Sequence, residues 1–266
     1  MPWSLLDILF ALPTYVLVLL RLTGLVLTAP LYASRLIPDR IRAALIMTVA
    51  AMIFPLVRSQ APQEMTMSMM VAGSVAELMI GATIGLSLAI LLFAAEVGGV
   101  IVGQQAGLRL GEVFDPTGDR QASIIGQVYT ITLTTMFLLA GGHRAALAAV
   151  LDTYQVIPML TFRIDESLIL LPIEMLTAAF IVGIRLAAPA TIALFLTGTA
   201  MGFLSRTMPQ MNILSVGFSV RAFVAIGAAA LALASCQGLM LEAIWDALEL
   251  IRLSFGVDPV HTHLVT

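Results

Sequence analysis

Hydrophobic positions along the chain gather into long apolar blocks, cut by short charged or proline-bearing stretches. Four uncharged runs, residues 78–95, 121–143, 186–205 and 222–241, are long enough to cross about 30 Å of hydrocarbon as helix. Residues 43–57, 97–108 and 175–184 form shorter runs, and the stretch 8–20 is bracketed by Asp7 and Arg21 and interrupted by Pro13. The pattern predicts an all-α chain of five or six hydrophobic helices or helical hairpins.

Three features set these blocks apart from simple lipid-facing spans. Pro13, Pro30, Pro55, Pro158, Pro172, Pro189 and Pro209 lie inside or at the edges of nearly every block. Each removes a backbone donor and predicts a break or kink, whose freed carbonyls need another helix or a cavity. Arg21, Glu77, Glu96, Glu174 and Arg185 lie within or between apolar runs, where an unpaired charge costs at least ~3 kcal/mol. Pairing inside a bundle (Glu174 with Arg185, or Glu96 with a neighbouring Arg), a proton or substrate relay, and contact with another subunit are the three ways to place them. Finally, the charges between runs do not alternate in sign as the positive-inside rule expects.

Gly99, Gly103, Gly107 and Gly111 recur at four-residue steps. On a helix such a stripe shares one face and lets another backbone come very close. Gly81/Gly85 and Gly198/Gly202 repeat the spacing once each. Met65, Met67, Met69 and Met70 form a deformable cluster that reads as core filler or as a compliant seal.

Composition sharpens this picture. Of 266 residues, 60% are hydrophobic and 11% charged, with a mean hydropathy of +1.02. An average soluble domain carries roughly a quarter charged residues, so a soluble enzyme or a disordered regulator is excluded. The net charge of −3 leaves no basic field for nucleic acid. Cys236 is the single cysteine and excludes an internal disulfide. No basic residue precedes Arg21, so the charged start of a cleavable signal is missing and the first apolar segment is expected to stay in the mature chain.

No enzyme signature, phosphate loop or paired-cysteine metal motif is present, so neither catalysis nor a cofactor nor a metal is expected. The longest polar interruption runs Leu108-Arg109-Leu110-Gly111-Glu112-Val113-Phe114-Asp115-Pro116-Thr117-Gly118-Asp119-Arg120-Gln121-Ala122. Asp115 to Gly118 is a strong turn signal. A loop this long between close-packed helices is either a solvated connector or an occluding element. Ser34-Arg35-x-x-Pro38 and Ser205-Arg206-x-x-Pro209 form a faint internal echo.

In their order these features resemble the FliR-type component of the flagellar export apparatus, whose virulence counterpart is the T-type (SctT-like) subunit of type III injectisomes. The residues that carry the resemblance run from Arg21-Leu-Thr-Gly24 to Pro30, then through Ile37-Pro38-Asp-Arg40-Ile-Arg42, Glu77 and Gly85. Gly103-Gln104-Gln-Ala-Gly107, Asp115-Pro116, Gly141-Gly-His143, Asp152-Thr-Tyr154 and Ile157-Pro158 follow. Leu186-Ala-Ala-Pro189, Arg206-Thr-Met-Pro209-Gln210-Met-Asn212 and Gly217-Phe218 close the series, and the resemblance extends over about residues 10–250.

The resemblance implies an all-helical, single-copy subunit of kinked hydrophobic helices and hairpins, like a fusion of the P-type and Q-type export-gate subunits. It implies one helical gate domain over residues 1–252 and a polar tail over 253–266. The implied partners are the P-type and Q-type subunits, the B-type and A-type export components and unfolded secretion substrates. The implied place is the flagellar basal body in the bacterial inner membrane. Residues 107–122 match the segment that plugs the closed channel in that family. Arg206, Pro209, Gln210 and Asn212 would fix a helix break and contacts with neighbours, and Glu77, Glu96 and Arg185 would pair within or between subunits. A virulence T-type subunit is the nearest alternative. A stand-alone secondary transporter explains the buried charges and broken helices, but not the charged loop or the ordered motifs.

Overall fold

The computed structural model describes residues 5–33, 37–58, 66–107, 123–160, 167–208 and 213–256. Among them are eight helices and no strand. They are α1 (Leu5–Thr28), α2 (Asp39–Val57), α3 (Met67–Ala106), α4 (Ile124–Leu139), α5 (Gly142–Val156), α6 (Ser167–Thr207), α7 (Ile213–Ser235) and α8 (Gln237–Ser254).

The largest departure from the sequence pattern is the length of α3 and α6. The run 78–95 and residues 97–106 of the next run are in one helix of 40 residues through Glu96, and 175–184 and 186–205 belong to one helix of 41 residues through Arg185. A single Glu or Arg is a good helix former, so a charge divides the hydropathy pattern without dividing the helix. At 1.5 Å per residue each helix runs about 60 Å, twice the thickness of the hydrocarbon core.

At four of the prolines, where a break or kink was expected, the helix continues. Pro13 and Pro55 lie inside α1 and α2, and Pro172 and Pro189 inside α6. One missing hydrogen bond bends a long apolar helix without ending it. Pro38 and Pro158 do stand at breaks, as the N-cap residue of α2 and in the turn after α5. The run 121–143 contains α4 and the start of α5, separated by a break where Gly141 takes φ 77°.

Two compact units organise the chain, one from residues 1–90, 141–176 and 245–266, the other from 91–140 and 177–244. Helices α3, α6 and α8 contribute residues to both. In the first unit the core is Leu17, Leu22 and Leu25 of α1, Ile80 and Ile84 of α3, Val150 and Tyr154 of α5 and Ile251 of α8. Glycines let α1 and α3 touch backbone to backbone. A Cβ on Gly24 would lie 2.7 Å from the Ala82 nitrogen, and one on Gly85 2.6 Å from the Leu25 carbonyl oxygen. Gly81 leaves no room for a Cβ against the Arg21 carbonyl. The Thr28 hydroxyl bonds across this seam to the Ala82 carbonyl at 3.1 Å.

Helix α2 folds back on α1 through an edge-to-face Tyr15–Phe54 pair and a hydrogen bond from Tyr15 to the Met47 carbonyl. Arg42 holds the connection, donating to the Tyr32 carbonyl at 3.0 Å and pairing with Asp39 at 3.2 Å. Beyond Ala50, Ile53 and Val57, however, little of α2 is buried. Ile41, Met52 and Leu56 are all more than half exposed.

In the second unit α3 meets α4 through Gly99 and Gly103, and meets α6 through Gly98 and Gly183, where added Cβ atoms would lie 2.9 and 2.8 Å from the facing carbonyls. Tyr129 of α4 donates to the Ala229 carbonyl of α7. The spacing Gly198/Gly202 is different. Gly198 faces only the tip of Arg221, and nothing lies within 4 Å of a Cβ on Gly202.

This contrast predicts opposite responses in thermal melting of the detergent-solubilised chain. Gly81→Ala drives a methyl into backbone and costs about 2–3 kcal/mol. Gly202→Ala, in open space, is neutral or gains about 0.5–1 kcal/mol of helix propensity.

Candidate functional site

Arg21 is the only ionised side chain of α1 whose surroundings the structure describes, and it is fully buried. The α1 backbone aims it into the space between α3 and α5. Its Nε donates to the Glu77 carboxylate of α3 at 2.6 Å. One terminal nitrogen donates to the Thr153 hydroxyl of α5 at 2.9 Å, and the other to the Ile157 carbonyl at 3.4 Å. The guanidinium carbon lies 3.8 Å from the centre of the Tyr154 ring. One side chain therefore engages an anion, a hydroxyl, a carbonyl and a π face, as only a planar guanidinium can.

Glu77 is 1% exposed and also accepts from the Leu160 backbone N–H. Leu160 reaches that position with φ 65°, the one positive φ outside glycine among the described residues. A left-handed leucine costs about 1–2 kcal/mol, which a bond to a buried carboxylate offsets. Gly73 leaves room for the Leu160 side chain. Thr153 passes its own proton to the Val150 carbonyl at 2.6 Å. A buried Arg–Glu pair with this many ligands is a structural staple, because both ions keep most of the hydrogen bonds they lose from water.

The second notable place is the junction of α3 and α4. Gly107 closes α3 with φ 74°, and Ser123 caps α4. The Ser123 hydroxyl accepts from the Gly126 N–H at 3.3 Å and donates to the Gly99 carbonyl at 3.2 Å. A Cβ on Gly103 would lie 2.6 Å from that hydroxyl oxygen, and Gly99 packs on the Gly126 backbone. The sequence stripe Gly99, Gly103, Gly107, Gly111 is thus helical only through Gly103. Gly107 is its turn residue, and Gly111 lies outside the described residues.

The remaining candidate residues divide as follows. Glu96 is half-buried, its side chain against Gly126 in the first turn of α4, where the helix dipole favours a negative charge. It forms no ion pair with a described arginine. For Glu174 and Arg185 pairing with each other was one of three options, and both are exposed. They stand eleven residues apart on α6, about 16 Å along the axis, which is too far to pair. Arg206 is exposed in the last turn of α6. Residues 108–122, with Pro209, Gln210 and Asn212, lie outside the described residues.

Thr153, Tyr154, Leu160, Ser123 and Gly126 complete these contacts without having been singled out as site residues. Only Thr153 and Tyr154 carried a signal, within the run Asp152-Thr-Tyr154. A further pair, Arg252 of α8 and Asp152 of α5 at 3.4 Å, is partly exposed. In the turn after α1, burial pushes the Tyr32 phenol above its usual pKa while it donates to the His143 carbonyl. Among the described residues no three His, Cys, Asp or Glu side chains gather as a metal site.

The class these features define is an all-helical apolar protein whose buried charges serve packing. Four helices, Asp39–Val57, Met67–Ala106, Ile169–Thr207 and Ser215–Ser235, are long and apolar enough to cross a membrane. The chain belongs to the bacterial export proteins, family 1, whose sequence model matches residues 12–247. It is similar to flagellar biosynthetic protein FliR of Buchnera aphidicola, 30% identical over 77% of this chain and 80% of the relative. It is also similar to that of Pectobacterium carotovorum, 29% identical over 77% and 78%. Yop proteins translocation protein T of Yersinia pestis is 26% identical over 80% and 82%.

Replacement of Arg21 tests the staple by denaturant unfolding in detergent. Arg21→Met strands Glu77 and costs about 3–5 kcal/mol. Arg21→Lys loses nearly as much, since an ammonium cannot reach Glu77, Thr153 and Ile157 together. Adding Glu77→Leu to Arg21→Met recovers most of the loss.

Proposed function

We propose that this chain is a non-enzymatic, single-copy structural subunit of a flagellar type III protein export gate in the bacterial inner membrane. In this reading it assembles with P-type and Q-type gate subunits, next to the B-type and A-type export components. Together they form and close the channel for unfolded secretion substrates. The observation that carries the reading is the family match, which runs through both compact units, from α1 into α8, with flagellar relatives of similar length.

The geometry supports a closing role for residues 107–122. The described residues on either side of 108–122 lie against one helix: Gly107 follows the last turn of α3, and Ser123 donates to the Gly99 carbonyl of α3. Arg206, Pro209, Gln210 and Asn212 take the role of contacts with neighbouring subunits. The exposed apolar residues of α2, α6 and α7 suit burial against those neighbours. A virulence T-type role is the second reading, favoured by the similarity to the Yersinia translocation protein.

Deletion of Asp115 to Arg120 tests the closing role in the intact assembly. Native mass measurement of the detergent extract is expected to give one large complex with small hydrophobic partners, with or without the deletion. Ion conductance of reconstituted membranes is expected to rise severalfold with the deletion. A free monomer in the wild-type extract counts against the gate reading, and unchanged conductance of an assembled gate against the closing segment.

A further inference from the structure

The turn after α5 is gripped by both members of the buried ion pair. The Ile157 carbonyl accepts from Arg21, and the Leu160 N–H donates to the Glu77 carboxylate. Between them Met159 is fully buried, so the turn is pinned up to residue 159 and its remaining freedom lies at Leu160. There φ is 65°. Leucine is neither glycine nor asparagine, which take such a φ readily, and left to itself it disfavours this conformation about five- to thirtyfold.

Two contacts hold Leu160 in place, and both are conditional. The bond to Glu77 exists only while Arg21 keeps the carboxylate at that point. The side chain lies over buried Gly73 of α3, where an added Cβ would collide with the Leu160 Cδ2 methyl and lie 3.4 Å from its Cγ. A β-branched residue at 73 closes that notch. With either contact removed, the ordinary preference of an L-residue for negative φ returns. Rotation about the N–Cα bond of Leu160 then carries its side chain out of the notch and re-aims the chain that follows. Non-glycine residues held left-handed by their surroundings are characteristic of elements with two arrangements.

We propose that the turn 157–160 is a two-state clasp on the Arg21–Glu77 pair, with Leu160 seated on Gly73 while the pair is formed and swung out when the Glu77 carboxylate lets go. By linkage the coupling runs both ways, so evicting Leu160 from its notch weakens the pair. The clasp rests on contacts inside the first unit and is independent of the export-gate reading.

A thiol at the hinge reads the two states in the detergent-solubilised full chain. In a Cys236→Ser background Leu160→Cys supplies the only thiol. Ala149→Cys, at a fully buried position of α5, reports separately whether the unit itself opens. Maleimide labelling of Leu160→Cys is expected to be slow with the native pair. Beside Arg21→Met/Glu77→Leu, the apolar replacement that keeps the helices packed, it is about tenfold or more faster, while Ala149→Cys stays unreactive in both. Gly73→Val with the native pair evicts the side chain and speeds labelling to a similar degree. With Leu160 in place, Gly73→Val raises the unfolding constant about tenfold or more when the pair is native. Beside Arg21→Met/Glu77→Leu, where Leu160 has already left the notch, it does so by less than about threefold.

Unchanged labelling of Leu160→Cys when the pair is removed overturns the proposal. So does labelling of Ala149→Cys that rises in step with it, because the turn then opens only with the whole unit. Equal costs of Gly73→Val in the two backgrounds overturn it too, since the notch and the pair are then uncoupled. Loss of the gate reading alone, with these results intact, leaves the clasp standing.

Discussion

The buried pair of Arg21 and Glu77 is the constraint around which the first compact unit is arranged. It joins residues 56 positions apart, and Thr153 extends it to 132. In an apolar chain most contacts are interchangeable, since one aliphatic side chain packs nearly as well as another. A buried guanidinium has no such freedom. It is satisfied only when α1, α3, α5 and the turn 157–160 stand in one arrangement, so the pair fixes which faces meet. The left-handed Leu160 is the local cost of completing that arrangement.

Close approach does for the backbone what Arg21 does for charge. Gly24, Gly81 and Gly85 bring α1 against α3, and Gly99, Gly103 and Gly126 bring α3 against α4. Such contacts gain dispersion and exclude neighbours with any side chain at those positions. Outside them the helices keep wide apolar faces uncovered. Phe195, Phe203 and Phe223 are all more than two-thirds exposed. The 60% hydrophobic composition thus divides between a narrow, highly specified interior and a large surface suited to lipid or other subunits.

Much of this was legible in the sequence, though unevenly. The all-helical class followed from the apolar runs, and Arg21 and Glu77 stood out as charges at their borders. Which charge met which did not follow, because pairing depends on helix facing and on α3 and α6 being continuous. Glu174 and Arg185 looked like natural partners only while 175–184 seemed a separate segment. Prolines announced a break or a kink without saying which. Their local preference is to break helices, and in α6 tertiary context and helix length override it at Pro172 and Pro189. Ser123 was invisible as a site residue because a capping serine has no composition signal beyond its neighbours. Leu160 was invisible because nothing in a leucine announces a positive φ.

The central claim is that one ion pair makes α1, the first half of α3 and α5 a single cooperative body. Native-state hydrogen exchange on Glu77→Ala addresses it most directly. The account predicts that amides of residues 12–28, 67–90 and 142–156 lose protection together, by about a hundredfold, while α4 and α7 keep theirs. Loss confined to the turns of α3 around residue 77, with α1 and α5 unchanged, would contradict it.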